Sequence, residues 1–351
     1  PETSYKLIYT DVADYMDNRD YGSYYEFDGQ KISELNNFMK GKKNAYIKLT
    51  SLSMDWDETL IPVSNVTIDA AGVVFTMTKE LDKAVHIVEL ENVALRNFVI
   101  EDGVYNWGIF VVRSTGISIE DTVLNNAACK ALVVLGENKY LDISRCSIDN
   151  SGNGSVILNG DISRVIFESN TITNTKGTPN FSAAVVITSI PIPDYNTAYN
   201  PFVEEPICDR YASPHEMVVL SNYVYKSNSS GIYSDGSYCN YFIDNTLYLN
   251  DKEGMCLDAG SFGNYVSGNT IKQNGGRRRQ TLADLENDFV QDFGTLSDGS
   301  SPAKLPGLSI DNSAYNIVMN NYICDNYGSG VKMVRVGVRN IVSDNIIANN
   351  N

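Results

Sequence analysis

Nine short segments of this 351-residue chain repeat one pattern, and that repetition constrains the fold more than any other feature of the sequence. LRNFVIEDG, IEDTVLNNA, ISRCSIDNS, FESNTITNT, VLSNYVYKS, FIDNTLYLN, VSGNTIKQN, VMNNYICDN and VSDNIIANN align on Asn97, Asp121, Cys146, Asn170, Asn222, Asn245, Asn269, Asn321 and Asn345. The steps between these residues are 24, 25, 24, 52, 23, 24, 52 and 24. Each long step is either one missed turn or one turn carrying an insertion of about 28 residues, so the period is about 24.

Within a period the pattern runs Asn-x-apolar-x-apolar-x-Asn-x-apolar, then a short polar turn, then Gly-apolar-x-apolar. Two or three short strands joined by sharp turns fit that pattern. One such unit is too short to close a sheet, so each must stack on its neighbours. Parallel coils at the strand spacing of about 4.8 Å are the natural solution. The abundance of asparagine in strand-like segments then has a reason. Turns repeated at one place bring Asn side chains into a stack that satisfies backbone groups.

The GNTI, DNTL, SNTI and DNII units resemble the repeats of right-handed parallel β-helix proteins, the pectate-lyase-like superfamily. The resemblance covers roughly residues 60–351 and implies an all-β solenoid with about 24 residues per coil. For function it implies a choice among lyases, hydrolases, epimerases, fructotransferases, tailspikes and passive adhesins.

Residues 1–60 break the period. In DGQKISELNNFMKG, the apolar residues Ile32, Leu35 and Met39 predict a helix that caps the open end of the stack. Such a plug hides the unpaired edge of a first coil. The expected division is therefore a capping segment, 1–60, and one β-helix domain, 61–351, entered through PVSNVTIDAAGVVFTM. Two insertions leave it, at about 189–215 and 275–305.

Composition narrows the partners. A formal charge of −16 argues against nucleic acid, whose phosphates need clustered Lys and Arg. No apolar run is long enough to span a membrane as a helix. The six cysteines lack CxxC spacing and several occupy strand positions, where a reduced thiol serves as a small hydrophobe. The expected partner is a carbohydrate polymer or oligosaccharide, and the expected location is extracellular or on the cell surface. A removed signal peptide would precede the PETSYKLIYTD start.

Aligning the strands that begin at glycine brings out the chemistry. The rungs are GIYSDGS from Gly231, GMCLDAG from Gly254, GLSIDNS from Gly307 and GVKMVRV from Gly330. Ile232, Met255, Leu257, Leu308, Ile310, Val331 and Met333 alternate inward, which turns Tyr233, Asp235, Cys256, Asp258, Ser309, Asp311 and Lys332 outward. Asp235, Asp258 and Asp311 thus stack on one outer wall. Asp also terminates strands as a turn former, but carboxylates one rung apart repel, and Asn makes the same turn without that cost.

Neighbouring rungs set carboxylates roughly 5 Å apart and alternate rungs nearly 10 Å, close to the separations of retaining and inverting glycosidases. Crowding raises the pKa of one member and leaves an ionised partner beside it. Clustered carboxylates are equally suited to Ca²⁺, so no cofactor is required and calcium on Asp235, Asp258 and Asp311 stays open. The two insertions flank this column, and long excursions from a repeat commonly carry function.

The first expectation is an enzyme of glycoside-hydrolase type that cleaves or rearranges glycosidic bonds. Asp258 and Asp311 are the favoured pair, and Asp235 is the third member. Lys332, Arg335, Tyr233, Arg277 and His215 are expected to contact sugar. Arg277–Arg279 can instead pair with acids of their own insertion, where Thr281 and Asp284 cap a short helix presenting Leu282, Leu285, Phe289 and Phe293. The second expectation, implied by the resemblance, is a Ca²⁺-dependent polysaccharide lyase with Lys332 or Arg335 as base; GVKMV is only loosely like the Lys-bearing strand of such lyases. The third is a non-catalytic glycan-binding or surface-structural β-helix. The Gly-His-Gly unit of polygalacturonases is absent, and no epimerase-type Tyr/His/Asp cluster or fructotransferase motif is recognisable.

Overall fold

The computed structural model describes residues 2–19, 22–101, 105–176, 183–189, 213–276, 304–335 and 337–351. The excursions at 190–212 and 277–303 lie outside these residues, and with them the helix expected from Thr281 and the position of Arg277.

Chain direction, repeat length and pairing define a parallel β-solenoid of about 11 turns with roughly 24 residues per turn. One turn runs from Ser230–Asp235 through Tyr241–Ile243 and Thr246–Tyr248 to Met255–Asp258, one rung further on. Repetition of this path builds three sheets. The first holds twelve strands, from Ser23–Phe27 to Ile341–Ser343. The second holds nine short strands, from Val99–Ile100 to Ile346–Ala348, and the third nine, from Leu81–Val88 to Val331–Val334.

Side chains at matching positions sit directly above one another. The register Ile109–Leu132–Val156–Val185–Ile232–Met255–Leu308–Val331 runs along the third sheet. Every member up to Leu308 is buried in the central core. Each such residue contributes about 1.5–3 kcal/mol by leaving water.

Asparagine builds all three corners. Asn222, Asn245 and Asn269 accept the backbone N–H of Asn170, Asn222 and Asn245 at 3.0, 2.9 and 2.8 Å, and the column continues to Asn321 and Asn345. A second column joins Asn240, Asn264, Asn316 and Asn340. A third joins Asn250, Asn274, Asn326 and Asn350. The residue before each ladder asparagine is left-handed, for instance Asp244 (φ 53°), Tyr315 (φ 58°) and Leu249 (φ 54°). That conformation bends the chain, and the asparagine amide then ties the bend to the next rung.

Helix α2 (Ile32–Met39) inserts Ile32, Leu35 and Met39 into the core, as the spacing predicts for a plug. Strands Ser23–Phe27 and Ala45–Leu49 already belong to the first sheet, so the stack begins on both sides of this helix. Helix α1 (Glu2–Asp17) was not expected. It lies across the outside of the first sheet, with Val12 and Met16 against Ile166 and the Tyr9 hydroxyl donating to Glu168 at 2.7 Å. Ile8, Val12 and Met16, spaced four apart and buried, are the sequence signal for it. Cys129, Cys146, Cys256 and Cys324 are buried free thiols, and Cys239 is half-buried.

Candidate functional site

Strand alternation sets the acidic column on the outer wall of the third sheet. Ile232, Met255, Leu257, Leu308 and Ile310 fill the core, so Tyr233, Asp235, Cys256, Asp258, Ser309 and Asp311 project the other way. Backbone pairing puts Tyr233 beside Cys256 and Asp235 beside Asp258, then Cys256 beside Ser309 and Ser309 beside Lys332. Along the same column the preceding rungs carry Val112, Leu135, Asn159 and Thr188, and the following rung carries Val334. The acids are therefore confined to three consecutive rungs.

Their environments differ. Asp235 is 2% exposed, whereas Asp258 and Asp311 are half-buried. Burial, reinforced by the charge of Asp258, pushes the Asp235 carboxyl up to about 7, with the Tyr233 hydroxyl pulling the other way. Asp258 Oδ2 accepts the Tyr233 hydroxyl at 2.7 Å and its Oδ1 accepts the N–H of Ala259 at 2.7 Å. Burial and the two carboxylates hold the Tyr233 phenol well above its ordinary value, so it acts as a donor. Burial also lifts the Cys256 thiol well above its usual range. Asp311 forms an ion pair with Arg335, Oδ1 to Nε 3.3 Å, and Arg335 itself is largely exposed.

Upstream, the outward column changes character. Phe110, Val133, Ile157 and Val186 occupy the positions that Tyr233 and Cys256 take later, and they form a second buried cluster apart from the core. Tyr233 packs against this cluster, which gives the acidic site an apolar flank. Lowered polarity there accounts for the elevated Asp235.

The structure brings Tyr233, Asp235 and Asp258 together, with Asp311 and Arg335 as a second unit one rung on. Lys332 is exposed on the rung after Ser309. His215 begins a strand of the first sheet, around the corner from the aspartates. Its ring stacks on Tyr238 (centroids 4.7 Å, planes 3° apart), and Tyr238 stacks on Phe262 (5.1 Å, 5°). Tyr238 and Phe262 follow Asp235 and Asp258 by three and four residues, and Phe262 is 47% exposed. Sequence reasoning missed this aromatic row, although its period matches that of the aspartates.

Among the described residues no three His, Cys, Asp or Glu side chains converge in a way that could hold a metal ion. Both histidines of the chain are engaged elsewhere, His86 against Phe110 and His215 against Tyr238.

Repeat, corner ladders and three parallel sheets define a right-handed parallel β-helix protein. A family model described as periplasmic copper-binding protein (NosD) matches residues 209–351, the C-terminal part of the chain that carries Asp235, Asp258 and Asp311. The A-module of mannuronan C-5 epimerase AlgE4 from Azotobacter vinelandii superposes with a TM-score of 0.56 at 10% identity, covering 91% of each chain. DFA-IIIase from Arthrobacter chlorophenolicus A6, in complex with GF2, superposes at 0.56 and 15% identity, covering 98% of this chain and 94% of that one. The catalytic domain of a GH87 α-1,3-glucanase gives 0.53 and 11%, covering 95% and 66%. At these identities the likeness is one of fold. No curated protein sequence matches the chain. Among the described residues no helix is long and apolar enough to cross a membrane.

Proposed function

We propose that this protein is a carbohydrate-active enzyme that cleaves or transfers a glycosidic bond on the outer wall of the third sheet, with Asp235 as acid and base and Asp258 as nucleophile. The observation that carries this reading is the split between two carboxyls on paired rungs. Asp235 is buried and holds its proton up to about pH 7, while Asp258 accepts two hydrogen bonds that suit an anion. Divergent protonation of adjacent acids is the arrangement that assigns acid and base roles.

Paired rungs hold the carboxyls roughly 5 Å apart, the separation of a retaining mechanism. Asp258 attacks the anomeric carbon as the glycosidic C–O bond breaks, and Asp235 gives its proton to the departing oxygen. Water, deprotonated by Asp235, then breaks the Asp258 ester and restores both groups. Tyr233 steers one Asp258 oxygen by its hydrogen bond and leaves the other beside the N–H of Ala259. Asp311, tied to Arg335, and Lys332 border the cleavage point as sugar contacts, and the exposed Phe262 at the end of the aromatic row offers a ring for pyranose or furanose contact.

The carbohydrate-active structures of the same fold support the substrate class. The periplasmic family that matches residues 209–351 supports an extracytoplasmic location.

The test is a panel of neutral and uronic polysaccharides and fructans, with products separated by chromatography and the released anomer read by NMR. Activity that disappears in both Asp235→Asn and Asp258→Asn, with folding retained by circular dichroism, is the expected result. A turnover rate unchanged in either folded variant would falsify the assignment.

A further inference from the structure

We propose a second ligand site, on a different wall from the aspartates, in the cleft between helix α1 and the leading edge of the first sheet, with an uncharged, hydroxyl-rich molecule of mono- or disaccharide size as its ligand. The cleft has a volume of about 460 Å³, within the range of small-molecule sites. Its floor is a column of left-handed residues at the start of successive strands of the first sheet, Asn44 and Asn65 just before theirs and Asn92 second in Glu91–Arg96. Its roof is the last turn of α1 and the residues after it.

The column explains why a cleft exists here. The position after Asn92 is Gly116, where a side chain would come within 2.5 Å of Asn92 Oδ1 and 2.8 Å of the Tyr15 ring. With no side chain there, Tyr15 reaches from α1 into the column, stacks on Tyr140 at 4.1 Å with planes 1° apart, and donates its hydroxyl to Asn92 Oδ1 at 3.0 Å. Asn92 in turn donates to Asn65 Oδ1 at 2.9 Å. The relay fixes the orientation of each amide and directs the Asn65 NH₂ group away from its Oδ1 partner. Among the described residues that NH₂ group has no acceptor, and neither does the Thr67 hydroxyl, which lines the same cleft on a residue only 6% exposed. Fixed donors and acceptors around an unfilled polar volume are what a sugar hydroxyl needs.

Charge selects against ions. Asp11 and Asp14 line the cleft together with Arg19, so an anion meets two carboxylates and a cation meets a guanidinium. Asp11 is paired with Arg164 at 3.3 Å, and the carbonyls of Met16 and Gly116 orient the Arg19 guanidinium, so Asp14 and Arg19 leave the cleft with charges of both signs and no dominant one. Amide, hydroxyl and ring-edge contacts remain, and these favour a neutral polyol. None of these residues belongs to the acidic column, so the site stands or falls independently of the catalytic reading.

The experiment is a titration of the whole chain with maltose, cellobiose and sucrose, and with sodium galacturonate as the charged counterpart, followed by calorimetry and saturation-transfer NMR. Four proteins are compared: the unaltered chain, Asp258→Asn, Thr67→Val and Asn18→Trp. Thr67→Val keeps a β-branched side chain in a strand and removes only the hydroxyl. Asn18→Trp fills the cleft from an exposed position beyond α1, so both variants are expected to fold. At least one neutral disaccharide should bind with a Kd of about 1 mM or tighter. That affinity should be unchanged in Asp258→Asn and about tenfold weaker in Thr67→Val and Asn18→Trp. Binding unchanged in both cleft variants, tighter binding of galacturonate, or no binding of any neutral sugar to the unaltered chain would overturn the proposal.

Discussion

The hydroxyl of Tyr233 donates to Oδ2 of Asp258 across one rung of the solenoid, at 2.7 Å. The bond is charge-assisted, the kind that holds a carboxylate in one rotamer. Tyr233→Phe removes it and keeps the ring beside Val186, its partner on the preceding rung and part of the apolar cluster. A hydrogen bond to a charged group contributes about 1.5–3 kcal/mol. If that interaction holds Asp258 for attack, kcat should fall roughly ten- to hundredfold with KM little changed. Steady-state kinetics on the best substrate of the polysaccharide panel checks this; equal kcat values would mean that the tyrosine only packs.

Asp235 makes stability depend on pH in a direction opposite to most carboxylates. Its folded pKa, about 7, lies above the unfolded value of 3.8. The contribution to stability is therefore fully present below the unfolded pKa and is lost as pH rises through 7. The shift corresponds to roughly 4 kcal/mol as an upper bound. Asp235→Asn mimics the protonated form, so its melting temperature should decline less between pH 5 and 8 than that of the unaltered protein, the remaining decline coming from buried Asp142, whose carboxyl is pushed up to about 6. Parallel curves would show that Asp235 is ionised in the native state.

The asparagine ladders carry stability that no apolar residue can replace. Asn269 Oδ1 accepts both the backbone and the side-chain amide of Asn245, at 2.8 and 3.0 Å. Its own amide donates to Phe242 O and Asn321 Oδ1, both at 2.9 Å. Asn269→Ala strands these buried groups, each at a cost of about 1–3 kcal/mol. Urea denaturation should show a loss of at least about 3 kcal/mol. A loss under 1 kcal/mol would mean that water enters the corner and takes over the bonds.

The repeat was readable because one residue type at one spacing has a single structural use here. Asn170, Asn222, Asn245, Asn269, Asn321 and Asn345 mark the same corner, and the structure closes them into a hydrogen-bonded column. The columns through Asn264 and Asn274 follow the same period and were legible on the same grounds, but alignment on a single register hides them. Alternation correctly sent Asp235, Asp258 and Asp311 outward. It could not rank them, because ranking depends on what surrounds each side chain. The sequence favoured Asp258 with Asp311; the surroundings it could not supply are the Arg335 ion pair of Asp311 and the deep burial of Asp235. Helix α1 escaped notice because its apolar face meets the outside of a sheet, where the repeat gives no sign that anything will pack.

The plug at the start of the stack should behave as a nucleation and protection element. Leu35 is fully buried, on the face of α2 that enters the core, with Ile32 and Met39 on either side. In a solenoid each coil is stabilised by the next, so a loose first rung exposes the edge of the second. Leu35→Ala removes buried methyl groups at a cost of about 2–5 kcal/mol. Coil-by-coil coupling predicts a further effect, confined to the coils nearest the plug. Amide exchange should accelerate in Ala45–Leu49 and Val66–Asp69 while Tyr265–Ser267 and Ile317–Met319 keep their protection. Uniform acceleration along the whole stack would show instead that the solenoid unfolds as one cooperative unit.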